Sequence, residues 1–473
     1  MKKIIVPLVL ILLFTIATYS QQADKKTPPP SIVFTNVSVI DATGNPLQSD
    51  MAVLITGDKI VAIGKSNKVK LPKGTQKIEA KGKFLIPGLW DMHTHLTLSK
   101  DFSLPLFIAN GVTSVRDMGG DWEVLKSWKA ASANGEILSP QIKTAGSIIE
   151  SANFLNMLRR IGAFINKPNN PAILKGRMGV ANPEQSKQAI QKLVKDGVDF
   201  IKFRTNISRE AYLAMATEAK SAGLMFVGHA PTGVTLIEAS DAGQKSIEHG
   251  MDALMKLTDE ERQQTYERLV KNQTWVVPTW ITMKSVRLIP DKDVVAVIND
   301  RENKIDARRK YLSASLLDLW DTQVKIKKFE SATDWTKVMQ AYQQHFRELH
   351  KAGVRMMAGT DTGSPLVYPG FSLAEELELL VSDIGLTPME ALQSATRNPA
   401  EFFGMEKTLG AIEVGKLADV VLLEANPLEN IGNIKKIAGV MLGGKYLDKP
   451  ALQKILNDVE VAASKDRESA IKK

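Results

Sequence analysis

The chain has 473 residues, carries a formal net charge of +9 and is 44% hydrophobic, with no cysteine. This length suits a large barrel with an accessory domain rather than one small compact unit. The absence of cysteine excludes disulfides and a lipid anchor on a cysteine, and since no run interleaves basic with aromatic residues, we expect no nucleic-acid partner.

The N-terminus has the pattern of a secretory signal peptide. Lys2 and Lys3 precede an apolar run over residues 4–17, and a short polar segment follows up to Gln22. The run is shorter than the roughly 20 apolar residues that a membrane-spanning helix needs. We therefore predict a cleaved signal peptide at 1–22, a proline-rich linker at 23–30, and a periplasmic or secreted protein without a stable membrane anchor. An uncleaved anchor is the alternative.

Short strand-like segments occur near both ends of the chain. Segments 32–40, 51–56 and 59–63 are β-rich and separated by turn residues, and segments 419–423 and 437–442 have the same character. Neither group is large enough to form a sheet sandwich by itself. The two groups together could form one.

Residues 84–96 read Phe-Leu-Ile-Pro-Gly-Leu-Trp-Asp-Met-His-Thr-His-Leu. In a strand, residues i and i+2 project from the same face, so His93 and His95 can reach one point, as a metal requires. The alternative is a histidine pair on a solvated strand face. The apolar neighbours Leu89, Trp90 and Met92 favour a buried strand, where an unliganded pair would be costly.

From residue 88 onward, strand-like segments alternate with helical ones, which indicates a parallel sheet wrapped by helices. We predict helix caps at Asn182, Thr387 and Asn398, each followed by Glu or Gln. Two connections, 147–181 and 281–351, are unusually long and would be lids, substrate walls or surface elaborations, the second largely helical. The eight predicted strands are 89–95, 112–117, 140–145, 198–204, 224–229, 245–249, 275–280 and 354–361.

Polar residues gather at the carboxyl ends of these strands, where the active site of a parallel barrel lies. Nitrogen and oxygen donors without thiolate favour zinc, and manganese or iron less often. The remaining histidines, His345 and His350, fall on a helix and are not predicted ligands. The residues at the strand ends are His93, His95, Lys202, His229, His249 and Asp361.

These motifs, in this order, resemble those of the amidohydrolase superfamily, whose signature is P-G-[LF]-[IVW]-D-x-H-x-H. The resemblance covers residues 32–447 and is closest to the imidazolonepropionase and prolidase-like branches. It implies an α/β fold, a (β/α)8 TIM-like barrel inserted into a discontinuous small β-sandwich domain. After the 84–96 stretch, the matching segments are 112–120, 199–203, 227–229, 246–250 and 358–361. The predicted domains are 31–87 and 405–450 for the two parts of the β-sandwich, 88–404 for the barrel and 451–473 for a C-terminal tail.

The resemblance also implies a binuclear metal centre. In binuclear members, the lysine of the fourth strand reacts with carbon dioxide to form a carbamate that bridges two metals. Carried over here, His93, His95 and Asp361 would hold the first of two divalent ions, zinc before others, and His229 and His249 the second. Lys202 would bridge them. The ions would activate a water, and Asp361 would pass its proton to the leaving group.

The predicted function is hydrolysis of an amide C–N bond in a small molecule such as a dipeptide, an N-acyl amino acid or a cyclic amide. We predict substrate contacts from Arg116, Arg204 and Tyr368. Prolidase-like relatives bind substrate with a Tyr directly after the His-Ala of the fifth strand and with a His after the third. Here Pro231 holds the first position and segment 145–149 contains no His, which leaves the dipeptide open. The oligomeric state is open as well, with a homo-oligomer as one possibility.

Three alternatives compete with this reading. The same site could serve an esterase or lactonase. A mononuclear deaminase or imidazolonepropionase-like ring hydrolase would lack the bridging lysine and use a glutamate near the fifth strand, where the nearest candidate is Glu238, which we expect to be helical. A metal-free barrel could act as a binding protein. About two, one or zero metals per chain would separate the binuclear, mononuclear and metal-free readings.

Overall fold

The computed structural model describes residues 30–164, 174, 176–327 and 333–472. The predicted signal peptide at 1–22, and all but the last residue of the predicted linker, lie outside these ranges. Within them, no helix combines the length and the apolar character that crossing a membrane would require.

Strands and helices alternate through the middle of the chain, whereas strands dominate near its two ends. The strands are β1 (Ser31–Val39), β2 (Gln48–Thr56), β3 (Lys59–Lys65), β4 (Gln76–Glu79), β5 (Phe84–Pro87), β6 (Leu89–Thr94), β7 (Val112–Asp117), β8 (Gln141–Thr144), β9 (Ile148–Ser151), β10 (Arg177–Val180), β11 (Ile201–Phe203), β12 (Phe226–His229), β13 (Gln244–Glu248), β14 (Trp275–Val277), β15 (Val420–Leu423), β16 (Ile437–Leu442) and β17 (Lys445–Asp448). The α-helices are α1 (Leu104–Ala109), α2 (Trp122–Ala133), α3 (Ala152–Phe164), α4 (Pro183–Asp196), α5 (Arg209–Ser221), α6 (Leu236–Asp241), α7 (Asp259–Lys271), α8 (Trp280–Leu288), α9 (Asp291–Asn299), α10 (Ala314–Lys327), α11 (Trp335–Lys351), α12 (Ser372–Leu379), α13 (Pro388–Ser394), α14 (Arg397–Phe402) and α15 (Lys449–Ile471).

Strands from both ends of the chain share one sheet. Its order is β17-β16-β15-β5-β1-β2-β3, and β15 pairs antiparallel with β5, which joins the C-terminal strands to the N-terminal ones. Strand β1 pairs with β4 along its first half and with β5 near its end, so the sheet forks there. Phe34, Val53, Val420 and Met441 belong to one buried apolar cluster, so neither terminal part has a complete core alone.

The barrel strands run parallel in the order β6-β7-β8 and then β11-β12-β13-β14. The N–H of Asp199 donates to the carbonyl of Thr144 (2.9 Å), which joins the two groups. Apolar side chains from the strands, among them Met92, Phe200 and Val277, pack together one or two residues before the polar strand ends. A packed core therefore supports the site from below, and the predicted barrel inserted into a discontinuous β domain is confirmed.

The eighth predicted strand, 354–361, closes the barrel without forming a continuous ladder. Met356 bridges to Val276 of β14, and Thr362 bridges to Thr94 of β6. The N–H of Met92 donates to Ala358 O at 2.9 Å, and the N–H of Asp361 donates to His93 O at 2.7 Å. The chain turns at Asp361, where φ is 57°.

The two long connections contain regular structure. The first includes β9, α3 and β10, and β9 pairs with both β10 and β11, so it extends the barrel sheet. The second contains α8 to α11, and its predicted helical character is confirmed. The predicted cap at Asn398 is wrong: α14 begins at Arg397, and the Asn398 amide donates instead to Met356 O at 2.9 Å. Asn182 and Thr387 do cap α4 and α13.

The predicted C-terminal tail is the long helix α15. Val459 packs with Leu106 and Tyr311. The guanidinium of Arg467 donates to the carbonyls of Lys310 and Leu312 at 2.9 and 2.7 Å. The helix therefore ties the end of the small β domain to the barrel's helical layer.

Candidate metal centre

The structure brings the six predicted metal-binding residues to one end of the barrel. His93 lies in β6, Lys202 in β11 and His229 at the end of β12. His95, His249 and Asp361 lie just beyond the ends of their strand segments.

The histidine rings and the carboxylate surround one small space. Asp361 Oδ1 lies 3.5 Å from His93 Nε2 and 3.4 Å from His95 Nε2. The ring centroid of His249 is 4.5 Å from that of His93 and 4.6 Å from that of His229. Potential ligand atoms of His93, His249 and Asp361 all lie within 4.8 Å of one another. A metal ion at this point would find nitrogen and oxygen donors on several sides.

Hydrogen bonds to the Nδ1 atoms fix the tautomers of three histidines. Nδ1 of His95 lies 2.8 Å from Gly119 O, a carbonyl that can only accept, so this nitrogen carries the proton. Nδ1 of His249 lies 2.7 Å from the hydroxyl of Thr279, and that hydroxyl donates to Pro278 O, so it accepts from His249. Nδ1 of His93 lies 3.0 Å from a carboxylate oxygen of Glu248. Each Nε2 is therefore left with a lone pair, as a metal ligand requires.

Two atoms of the site are buried without a protein hydrogen-bond partner in the described part of the chain. They are Nε2 of His93 and Nζ of Lys202. Nδ1 of His229 lies 3.0 Å from the hydroxyl of Thr205. Its Nε2 is therefore also left for another partner. Because buried polar atoms without partners are costly, this pattern fits a site completed by a group that these residues hold.

The electrostatics favour neutral nitrogen donors beside an ionised carboxylate. Burial lowers the pKa of His93 to about 4 and the pKa values of His229 and His249 well below the usual range. Burial also lowers the pKa of Lys202 to about 7. Burial alone would raise the pKa of Asp361, but the neighbouring histidines, His93 first, hold it well below its usual range. Neutral imidazoles and a carboxylate are the donors that divalent zinc accepts.

Sequence reasoning missed Glu248, which supports the site from within the barrel. Its side chain is fully buried and accepts from His93 Nδ1 and from Ser246 at 2.5 Å, and its two oxygens accept from Nη2 of Arg116 at 2.8 and 2.9 Å. Burial would raise its pKa, but Arg116 and His93 hold it far below the usual range. Its position directly before His249 was the available signal, but nothing in the sequence shows that it reaches β6.

Asp91 has a similar supporting role. It lies two residues before His93, and its Oδ1 accepts from the N–H groups of His93 and Thr360 at 3.2 and 2.9 Å. Its Oδ2 accepts from the Thr360 hydroxyl at 2.6 Å. This carboxyl therefore holds β6, which carries His93, against Thr360, the residue that precedes Asp361.

Three residues at the site have positive φ although none is glycine. The angles are 65° at His249, 57° at Asp361 and 44° at Thr279. Such conformations cost of order 1–3 kcal/mol each and cluster at functional sites. Here they direct one imidazole, the carboxylate and the hydroxyl that holds the imidazole toward the same centre.

The three predicted substrate contacts have different positions. Arg204 lines the cavity above the site. Arg116 does not: its guanidinium is fully buried and donates to Met92 O, Ser246 and Glu248. Tyr368 is buried as well, with its ring 5.5 Å from Trp320 and beneath the guanidinium of Arg308. Neither Arg116 nor Tyr368 lines the cavity, because local packing uses both side chains.

The cavity over the site has a volume of about 1130 Å³. His95, Lys202, His229, His249 and Asp361 form its floor. Its walls come from segments 230–238 and 250–265 and from the second long connection, through residues such as Met283, Val286 and Trp335, while the first long connection contributes Ile148 and Arg177. The second long connection therefore forms one part of the cavity wall, and the first contributes a smaller part.

Comparisons with known proteins agree with this geometry. A family model described as "Amidohydrolase family" matches residues 84–447. An ochratoxinase from Aspergillus niger is 26% identical over 476 aligned positions, covering 88% of this chain and 86% of that protein. An imidazolonepropionase from Fusobacterium nucleatum subsp. nucleatum is 22% identical over 82% of this chain and 87% of its own length. A solved Xaa-Pro dipeptidase with methionine bound in its active site has the same fold, with a TM-score of 0.66 and 23% identity over 88% of this chain and 100% of that one.

Proposed function

The chain belongs to the amidohydrolase family, and we propose that it is an exported metal-dependent hydrolase that cleaves an amide C–N bond of a small molecule. The similar proteins named as an ochratoxinase and an Xaa-Pro dipeptidase support an amide as the scissile group. The substrate would be a dipeptide, an N-acyl amino acid or a cyclic amide.

One observation carries the proposal. Three histidines donate through Nδ1 to a carbonyl, a hydroxyl or a carboxylate, and their Nε2 atoms face the space beside the Asp361 carboxylate. A barrel that used these residues only for packing would not need the same tautomer three times. A metal site does need it.

The residues divide between two predicted positions. His93, His95 and Asp361 would hold one divalent ion, His229 and His249 the other, and Lys202 would bridge them. When bound, such ions lower the pKa of a coordinated water and polarise a carbonyl. Asp361 is ionised and opens to the cavity with a side chain 19% exposed, so it can accept a proton from the attacking water and deliver it to the departing amine nitrogen.

Lys202 supports the bridging role through its environment. It is 1% exposed, and burial first of all lowers its pKa to about 7, so much of it is the neutral amine at neutral pH. A neutral amine adds to carbon dioxide and loses one proton, which yields a carbamate anion with two oxygens. The burial of Lys202 thus supports the proposal of a carboxylated lysine.

Metal content and turnover together test the proposal. We expect about two metals per purified chain by elemental analysis, and hydrolysis of at least one amide from a panel of dipeptides, N-acyl amino acids, cyclic amides, esters and lactones. One metal per chain would favour the mononuclear alternative. Its catalytic glutamate has no counterpart in Glu238, which lies in the first turn of α6, completes the capping box with Thr235 and pairs with Arg209. Hydrolysis of esters or lactones alone would overturn the assignment of the scissile bond.

The variant Lys202→Ala tests the bridge directly. It should lose activity and at least one metal, and added short-chain carboxylates should restore part of both because they can occupy the vacated space. Lys245→Ala, on strand β13 of the same sheet, is the matched control and should keep both metals. Two metals and full activity in Lys202→Ala without added acid would show that Lys202 does not bridge.

A further inference from the structure

The carboxyl group of Glu376 is buried and takes no part in the proposed proton transfer. The residue lies on α12 with no exposed surface. Its two oxygens accept from the backbone N–H groups of Trp280 and Ile281 at 3.0 and 2.7 Å. These are the first two residues of α8. Because burying a carboxyl group is costly, its position against the start of this helix calls for a reason.

Helix α8 begins without a cap from the residue before it. Thr279 uses its hydroxyl for His249 Nδ1 and Pro278 O, and its side chain makes no capping hydrogen bond to the helix. Its φ of 44° is in the left-handed region, which a threonine rarely adopts. The surrounding structure must therefore hold both the first N–H groups of the helix and the backbone of Thr279.

Glu376 supplies what Thr279 cannot. The carbonyl of Thr279 and the N–H of Trp280 belong to one planar peptide group, so an acceptor that fixes the direction of this N–H also fixes ψ of Thr279. With its backbone held in this way, Thr279 keeps its hydroxyl 2.7 Å from Nδ1 of His249. The carboxyl group therefore acts on His249 through one peptide group and one hydroxyl.

The same helix also reaches the peptide group that precedes Asp361. In the first turn of α8, the buried hydroxyl of Thr282 donates to Thr360 O at 2.7 Å. At the other end of that peptide group, the N–H of Asp361 donates to His93 O at 2.7 Å. The orientation of the peptide plane is thus fixed from both ends, which supports the φ of 57° at Asp361. Helix α8 therefore connects the supports of two predicted ligands from different parts of the barrel.

We propose that Glu376 is a positioning residue of the metal centre. Its carboxyl group fixes the start of α8, so the hydroxyls of Thr279 and Thr282 keep two predicted ligands, His249 and Asp361, in place. This role rests on the proposed function, because a metal centre is what requires the two ligands to be fixed. It adds to the site a residue on α12, a helix that carries none of the six predicted ligands.

Glu376→Gln tests the role in the full chain after metal removal. Glutamine keeps the shape of the side chain, but its NH2 group cannot accept, so one of the two N–H groups of α8 loses its partner. NMR of isotope-labelled histidine shows which ring nitrogen carries the proton, and the chain has six histidines. We expect the signal of His249, identified by its loss in His249→Gln, to change from the Nδ1–H form to a mixture of both tautomers.

Two other histidines are controls within the same molecule. Nδ1 of His93 is held by Glu248 and Nδ1 of His95 by Gly119 O, neither of which lies on α8 or α12. Their signals should not change in Glu376→Gln. A change restricted to His249 identifies an effect of one helix rather than of overall stability.

Metal affinity, measured by competition with a chelator, gives a second test. Glu376→Gln should lose about 10-fold, the lower end of the effect of residues that support metal ligands. Thr282→Val leaves the start of α8 intact and breaks only its connection to Thr360, so it should lose a similar factor and keep the His249 signal. Glu375→Gln changes the neighbouring carboxylate on α12, which pairs with a cation of the second long connection, and should leave both measurements unchanged.

An unchanged His249 signal in Glu376→Gln would overturn the inference. So would an equal change at His93 and His95, because the variant would then have loosened the barrel as a whole. If Glu376→Gln does not fold, Thr282→Val decides: undiminished metal affinity there would overturn the connection from α8 to Asp361. The histidine signals do not depend on metal or turnover, so a chain that binds no metal would contradict the proposed function separately.

Discussion

At the scale of single residues, the hydrogen bonds behind the histidines matter as much as the histidines themselves. Thr279 accepts from Nδ1 of His249 at 2.7 Å and donates to Pro278 O, so its hydroxyl leaves only one tautomer open to that imidazole. Glu248 does the same for His93, and the carbonyl of Gly119 for His95. These contacts set which nitrogen faces the centre.

Thr279→Val tests this role with little change in shape. Valine keeps the branched side chain but cannot accept from His249, so the imidazole loses its fixed tautomer. We expect metal affinity, measured by competition with a chelator, to fall by about 10- to 100-fold.

Thr322→Val is the control for that experiment. It removes another buried hydroxyl, one that donates to Asp318 O on α10, and should leave metal affinity close to that of the unmodified chain. Equal affinities in Thr279→Val and Thr322→Val would mean that the Thr279 hydroxyl does not orient the ligand.

Asp361→Asn separates metal binding from proton transfer. Five predicted ligands remain, so at least one metal should be retained, whereas turnover should fall by about 100-fold or more because the amide cannot shuttle a proton. Asp252→Asn changes another carboxylate that lines the cavity, one that contacts Tyr342, and should retain most turnover. Near-normal kcat in Asp361→Asn would remove this residue from the proton transfer.

At the scale of elements, the connections after the third and seventh strands shape the cavity. Strand β9 carries Glu150, whose carboxylate lies next to Arg177 of β10 and Arg204, which follows β11. Helix α8 begins directly after Thr279, and the carboxylate of Glu376 accepts from the N–H groups of Trp280 and Ile281 at 3.0 and 2.7 Å. Burial raises the pKa of Glu376 to about 8. The buried Glu376 carboxyl therefore holds the start of α8, which forms part of the cavity wall.

Helix α15 should stabilise the barrel without taking part in catalysis. Arg467→Ala removes the donor for the carbonyls of Lys310 and Leu312, so we expect a loss of about 1–2 kcal/mol in the free energy of unfolding. Denaturant titration measures it, and kcat should not change. Lys465→Ala, at an exposed position of the same helix, should have no measurable effect. Equal stabilities of the two variants would show that the docking of α15 adds little.

At the scale of the whole molecule, the barrel depends on a sheet built from both ends of the chain. Strand β5 leads directly into β6, which carries His93, and β5 pairs with β15 from the far end of the chain. The active strand is thus anchored by a contact that forms only when the complete chain has folded.

The predicted export has a direct test. Mass spectrometry of the protein recovered from outside the cytoplasm should give an N-terminus between Gln21 and Lys25, because a signal peptidase cleaves after small residues near Ser20. An exported chain that retains Met1 would indicate an uncleaved anchor. A chain found only in the cytoplasm would remove the signal peptide altogether.

The sequence by itself determined the barrel and the set of candidate ligands. Strand periodicity and the order of motifs placed all six candidate ligands at strand ends: His93, His95, Lys202, His229, His249 and Asp361. The carboxyl ends of parallel strands meet at one edge whatever the details of packing. Such an inference needs only local pattern and a fold-level rule.

Only the tertiary structure decided which polar residues support those ligands and which reach the cavity. Glu248 meets His93 across 155 residues of sequence, and Arg177 meets Glu150 across 27. Arg116, expected at the substrate, lies instead inside the barrel against Glu248. The physical reason is that a buried charge takes whichever opposite charge the closed barrel brings within reach. That partner depends on side-chain packing in three dimensions, which the spacing of residues along the chain does not encode.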